Sequence, residues 1–251
     1  MNRPASRDLR AARATCTLLL ALAGYSLIAV SSPANGASFL TLRDDGTVAT
    51  TPFDTRAHAD SITNRILELY AESGEPTPDV LSVWTTFSFN ANDVQTNFIP
   101  YANDVTGIGL ERAYGSRVTF ASPVPSLRAM LIHNNVLELP ARADFHGAPH
   151  DGYARYLFLL ELSHVWGPEI VVPAPNPTSL IGFDFHWSFW VDAGGSPAGG
   201  NVWIDNHDGT FSLGAQSPRG VKYSMLDLYL MGLAAASEVP PFGVLTEPMP
   251  P

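Results

Sequence analysis

The chain has 251 residues and a formal net charge of −10 at pH 7, and its length suits one domain, or one domain with a small lobe. Its acidic surface would repel a phosphate backbone, which argues against nucleic acid as a partner. The only cysteine, Cys16, lies near the N-terminus, so the later chain has no disulfide, no thiol catalysis and no thiolate metal site.

The first 37 residues are predicted to be a secretory signal peptide. A basic start extends to Arg13, and an uncharged, largely apolar run follows from Thr15 to Val30. Ala34, Gly36 and Ala37 are small residues of the kind found at a cut, so cleavage near residue 36 or 37 and a secreted or periplasmic protein are predicted. An uncleaved anchor is the alternative, but the run is shorter than the roughly 20 residues that span a bilayer. No later segment is predicted to cross a membrane.

The remaining chain, residues 38–251, is predicted to be a single domain whose first half consists of strands with one helix. Residues 38–51 alternate as a β-hairpin does, with Asp45-Gly46 as a two-residue turn signal. Residues 57–71 carry an apolar stripe at helical spacing, which predicts an amphipathic helix. Further strands are predicted at 79–89, 94–101, 117–121 and 129–139.

The second half is predicted to contain a core helix at 152–166 and a short helix at 224–231. Asp151 is the predicted N-cap of the core helix, and Ser224 with Asp227 has the spacing of a capping box in the short helix. The other predicted features are a strand at 183–192, a hairpin at 201–213 around Asp208-Gly209, and a proline-rich end at 247–251 that is typical of a linker in a C-terminally shortened copy.

Glu161 and His164 are three residues apart on the predicted core helix, so they share one face. In zinc peptidases of the zincin class, two histidines at i and i+4 hold the metal, and the glutamate after the first histidine is the general base. Glu161 matches this base and His164 the second histidine, whereas Leu160 stands in place of the first. The alternative is that Glu161 and His164 form a polar pair that packs the helix against the sheet.

Beyond this helix, the chain resembles uncharacterised secreted bacterial proteins of the zincin (His-Glu-x-x-His) type. The segments that carry the resemblance are 103–109, 161–167, 186–189, 205–211 and 223–233. The resemblance implies an α+β fold in which a zincin-like mixed β-sheet packs on the core helix at about 152–166, with a short methionine-bearing helix near 224–231. It also implies that Glu161 is catalytic, that His164 and His186 are metal ligands, and that Met225 or Met231 lies beneath the metal.

Zinc is the cofactor that the resemblance implies, and an active enzyme would act on a peptide or protein. Because Leu160 replaces a ligand, the zinc site is expected to be weakened. A carboxylate from Asp184 or Asp192 would complete it, or His146 or His150 would supply the first ligand. The sequence therefore leaves open a metallopeptidase or its degenerate descendant, and a non-catalytic binding protein of the envelope or extracellular space.

Two further interpretations concern single residue types. Trp187, Trp190 and Trp203 are a candidate platform for glycan binding, although clustered aromatic residues in strands are usually core. His133, in an apolar run, is interpreted as a sheet residue whose hydrogen bonds are satisfied.

Overall fold

The computed structural model describes residues 26–31, 38–76, 78–88, 96–102, 126–138, 150–166, 171–172, 178–180, 186–214 and 222–245. They form a mixed α+β structure, as the sequence predicts. The strands are β1 Ser26–Ser31, β2 Ser38–Arg43, β3 Val80–Thr85, β4 Thr96–Pro100, β5 Ala129–Asn135, β6 Val171–Val172, β7 Thr178–Ser179, β8 Trp187–Asp192, β9 Gly199–Asn201, β10 Trp203–Asp205 and β11 Phe211–Leu213. The helices are α1 Thr47–Thr50, α2 Arg56–Glu72, α3 His150–Ser163 and α4 Met225–Leu230, and a 3₁₀ turn covers Ala236–Glu238.

The main sheet has five strands in the order β2-β1-β3-β5-β4. It is mixed, because β3 and β5 are parallel whereas its other neighbouring pairs are antiparallel. β4 is an edge strand and ends at Pro100, which has no N–H to donate to a further strand. β1 comes from the segment that the sequence assigns to the signal peptide, yet it lies between β2 and β3.

Helices cover both faces of the main sheet, because its central strands place apolar side chains alternately on the two sides. On β5, Met130 and Ile132 belong to the apolar core that contains the buried side chains of α2. Ala129 and Leu131 belong instead to a cluster with Phe158 and other residues of α3. The four β5 residues are fully buried, so the sheet lies between α2 and α3.

Helix α2 confirms the helix predicted at 57–71. The hydroxyl of Thr55 accepts a hydrogen bond from the backbone N–H of His58 at 3.2 Å, which caps the first turn. Ile62, Ile66 and Leu69 lie at helical spacing on the buried face.

The hairpin predicted at 38–51 is wrong. Its first half is β2, but the chain then forms the single helical turn α1 instead of a returning strand. The Asp44 carboxylate accepts hydrogen bonds from the backbone N–H groups of Val48 and Ala49, at 3.1 and 3.0 Å. Gly46 adopts φ 103° at the start of this turn. A side-chain cap therefore overrides the Asp45-Gly46 hairpin signal.

A second apolar core lies around β8, β9 and α4. Its buried members are Leu180, Trp187, Val191, Ala193, Ala198, Leu226 and Leu230. The short helix predicted at 224–231 is confirmed as α4, with the predicted capping box between Ser224 and Asp227.

The remaining predicted elements are confirmed where the structure describes them. β10 and β11 form the hairpin predicted at 201–213, and the strands predicted at 79–89, 94–101, 129–139 and 183–192 contain β3, β4, β5 and β8. The strand predicted at 117–121 lies outside the described residues. Within the described part of the chain, no helix has the length and hydropathy that a membrane crossing requires.

Candidate metal site at the end of helix α3

The core helix α3 changes its winding where the motif residues lie. It starts at His150, so Asp151 lies inside the helix and the predicted N-cap is wrong. After Ser163, the backbone continues in i→i+3 hydrogen bonds, including one of 3.2 Å from the N–H of His164 to the carbonyl of Glu161. Residues three apart are eclipsed in such a turn. Glu161 and His164 therefore leave the helix on the same side.

Both motif residues are buried, each with 6% of its surface exposed. The ring of His164 lies 5.0 Å from the ring of His186, between centroids, and 5.3 Å from the ring of Phe98 on β4. The structure thus brings together the two histidines that the sequence names as ligands, although they come from different elements.

His186 directly precedes β8, and the first residue of β8 is firmly anchored. The side chain of Trp187 is buried, and its indole N–H donates to Oδ1 of Asp227 at 2.8 Å. Oδ2 of Asp227 accepts from the backbone N–H and the hydroxyl of Ser224, at 2.7 and 2.8 Å. Asp227, which caps α4, therefore also holds the start of β8 in place, directly after His186.

Helix α4 is in turn attached to α3. The hydroxyl of Tyr223 donates to the carbonyl of Leu159 at 2.7 Å. Burial, followed by the charge of Asp227, raises the pKa of Tyr223, so this phenol keeps its proton at neutral pH. Met231 lines a small cavity together with Ser163 and Trp166 at the end of α3. Of the two predicted methionines, Met231 is the one described beside this end of the helix, whereas Met225 lines another cavity.

The separation of the two imidazoles is compatible with a shared metal ion. Two imidazoles bound to one tetrahedral zinc ion, each with its nitrogen about 2 Å from the metal, have ring centroids about 5 Å apart. The 5.0 Å between His164 and His186 matches this value. It also lies within the range of ordinary ring packing. The geometry therefore fits two zinc ligands without requiring the metal.

The described residues do not complete a catalytic zinc centre. No group of three or more histidine, cysteine, aspartate or glutamate side chains among them is arranged to hold a metal ion. Asp192 lies at the opposite end of β8 from His186, and His150 starts α3, about 20 Å along the helix axis from His164. Neither of these two suggested ligands is therefore placed to join the pair. Asp184 and His146 lie outside the described residues.

Leu160 lies one helical turn before His164, as the motif comparison requires. It is half-buried, and its carbonyl accepts a hydrogen bond from the hydroxyl of Ser163 at 2.6 Å. Residues at i and i+4 lie on the same face only in a regular α-helix. Because the tighter turn after Ser163 brings His164 over Glu161, position 160 lies on the neighbouring side of the helix, one residue before Glu161.

His133 has a more unusual environment than the sequence indicates. It is fully buried, its ring stacks on Trp84 with centroids 3.9 Å apart, and Nδ1 lies 2.7 Å from the hydroxyl of Thr96. Burial lowers its pKa to about 3, so the imidazole is neutral. Nε2 has no hydrogen-bond partner among the described residues, so the interpretation of a satisfied histidine is correct only for Nδ1.

The three tryptophans do not form one platform. Trp187 belongs to the second core and has 3% of its surface exposed, so it is not available to a glycan. Trp190 and Trp203 stack on each other with centroids 5.9 Å apart, and Phe189 meets both rings edge-on. Trp190 and Trp203 therefore each have one ring face covered by the other, and that face is not available to a glycan.

Comparisons of the chain with protein-family models, with curated proteins and with solved structures find no match.

Proposed function

We propose that this is an exported protein with a zincin-like fold, descended from a zinc peptidase, in which His164 and His186 form a weak two-histidine zinc site. The observation that carries the proposal is the 5.0 Å contact between these two imidazoles, which come from separate elements. The buried carboxyl of Glu161 supports it, since in the sequence this acid stands three residues before His164, as the glutamate of the zincin motif stands before the second histidine.

Peptide hydrolysis is not part of the proposal. A catalytic zinc ion normally has three protein ligands and a water molecule, for which it supplies Lewis acidity. The proposal takes two ligands, His164 and His186, from the described residues, and Leu160 has a hydrocarbon side chain where the motif has its first histidine. We therefore favour a non-catalytic, metal-binding descendant over an active metallopeptidase.

The test is to measure zinc by mass spectrometry after dialysis of the purified full chain against a zinc buffer. We expect substoichiometric zinc in the wild type and zinc near one ion per chain in Leu160→His. The reason is that a third imidazole, added one residue before Glu161, restores the missing histidine of the motif and should raise the affinity by a factor of more than about 10. Replacing His164 or His186 with alanine in the Leu160→His background should abolish the gain.

The matched control is Arg155→His, which adds a histidine at an exposed position of the same helix. It should leave the zinc content at the wild-type level. If Leu160→His binds no more zinc than Arg155→His does, residues 160 and 164 do not face a common metal site and the proposal is wrong. A peptidase assay of Leu160→His with and without Glu161→Gln then shows whether the carboxyl of Glu161 can still act as a base.

A further inference from the structure

The position of β1 in the main sheet bears on where the exported chain begins. Six residues of β1 pair with β2, from Ser26 opposite Arg43 to Ser31 opposite Ser38. Five of them pair with β3 on the other side, from Leu27 opposite Thr85 to Ser31 opposite Leu81. β1 is therefore an interior strand. A cut near residue 36 or 37 would remove it from the protein.

Loss of β1 would leave β2 and β3 without their shared partner. Neighbouring strands are about 4.8 Å apart, so β2 and β3 are about twice that distance from each other and cannot form a ladder directly. The backbone groups of β3 that face β1 would lose their partners beside Leu81 and Val83, which are fully buried. Unpaired backbone groups next to a core are strongly unfavourable. The folded protein thus needs residues 26–31.

The sequence contains an earlier site that satisfies this requirement. Ala21-Leu22-Ala23 has the small-x-small pattern of a signal-peptidase site, and Gly24 follows it, just before β1. The uncharged run from Ala14 to Leu20 lies between the last leader arginine and this triplet, and its length is at the short end of the roughly 7–15 residues of a signal core.

We infer that the signal peptide is cleaved between Ala23 and Gly24, so that β1 is the first strand of the exported protein. Water adds across this peptide bond and leaves a carboxylate on Ala23 and an amine on Gly24. The inference rests on the proposed export and is independent of the zinc site. It replaces the boundary near residue 37 that the small residues there predict.

The first experiment is N-terminal sequencing and intact-mass measurement of the full chain, expressed with its own leader in a bacterial host and isolated outside the cytoplasm. We expect the chain to begin at Gly24. Substitution of Ala23 with phenylalanine, which is too large for the position before the cut, should accumulate uncut precursor. The matched substitution Ala37→Phe should leave the N-terminus at Gly24. A chain that begins at or near Ser38 overturns the inference although export has occurred, whereas a chain retained in the cytoplasm with Met1 intact overturns export as well.

A second experiment uses a change inside β1. Ala29 pairs with Leu40 of β2 and Val83 of β3. Proline at this position lacks the N–H of an interior strand, so Ala29→Pro should lower the unfolding midpoint or the yield of the exported protein. The milder Ala29→Gly should lower the midpoint less and still fold. If the exported Ala29→Gly protein has the mass and the unfolding midpoint of the wild type, residue 29 has been removed with the leader and the inference is wrong.

Discussion

At the scale of single residues, the buried imidazole of His133 makes the fold sensitive to acid. Its pKa is about 3 in the folded protein against 6.5 in a solvated chain. The unfolded chain therefore takes up this proton at a higher pH than the folded protein, and the folded state loses stability as the pH falls below about 6.5. The loss continues until the pH reaches the folded pKa.

We expect the free energy of unfolding to fall by up to about 1.4 kcal/mol per pH unit between pH 6 and pH 4 on account of His133. Urea unfolding at several pH values measures it. His133→Phe is the control, since it keeps a ring against Trp84 but cannot take up a proton. The difference between the two pH profiles isolates His133 from the carboxylates. Parallel profiles would show that the imidazole does not titrate on unfolding.

The two histidine environments differ in how far the sequence predicts them. The proximity of Glu161 and His164 follows from helical spacing, and the resemblance to zincins predicts His186 as their partner. The environment of His133 could not be predicted, because Trp84 and Thr96 come from two other strands and reach it only through the register of the sheet. Local spacing is visible in a sequence, whereas strand register is not.

At the scale of elements, the carboxylate of Asp227 connects α4 to β8. It accepts hydrogen bonds from the indole of Trp187 and from two donors of Ser224. The bond from Trp187 is buried, whereas the two bonds from Ser224 are partly buried, so the indole N–H depends most on this acceptor. This one side chain therefore both starts α4 and holds the beginning of β8, next to His186.

Asp227→Ala is expected to lower the free energy of unfolding by on the order of 3 kcal/mol, since it leaves the buried indole N–H of Trp187 without an acceptor and removes the capping box of α4. Ser224→Ala, which removes only the hydroxyl of the cap, should cost about 1 kcal/mol. Urea unfolding followed by tryptophan fluorescence measures both. In the Leu160→His background, Asp227→Ala should also reduce bound zinc, because β8 no longer holds His186 in place. If the two variants lose the same stability, the hydrogen bond from the indole of Trp187 to Asp227 does not stabilise the fold.

The elements themselves were predictable to different degrees. Helices α2 and α4 are predicted from the spacing of their apolar residues and from their capping residues. Both signals depend only on residues a few positions apart in the sequence. The hairpin expected after β2 failed because the Asp44 carboxylate caps α1 and competes with the turn signal. The spacing of Ser224 and Asp227 predicts the capping box of α4. It does not predict that Asp227 also accepts a hydrogen bond from Trp187, because Trp187 is distant in the chain.

At the scale of the whole molecule, the described fold is stabilised by apolar cores. Clusters of buried side chains lie on both faces of the main sheet and around β8 and α4. The proposed zinc site joins the end of α3 to the start of β8. Zinc binding there adds to a structure that is already packed.

We therefore expect a chelator to leave the circular dichroism spectrum and the thermal midpoint of the wild type unchanged. Zinc at ten times its dissociation constant should stabilise the protein by about 1.4 kcal/mol. A thermal-shift titration measures this effect, and the double variant His164→Ala, His186→Ala should not respond. Unfolding by the chelator alone would instead assign the metal a structural role.

The parallel pairing of β3 with β5 has a consequence for the rate of folding. These strands are neighbours in the sheet, yet β4 and two long connections separate them in the chain. Contacts between distant segments form slowly, because a large loop must close before they add any stability. A chain that folds slowly stays unfolded for longer after synthesis, and an unfolded chain is the form that the proposed export through a translocation pore would require.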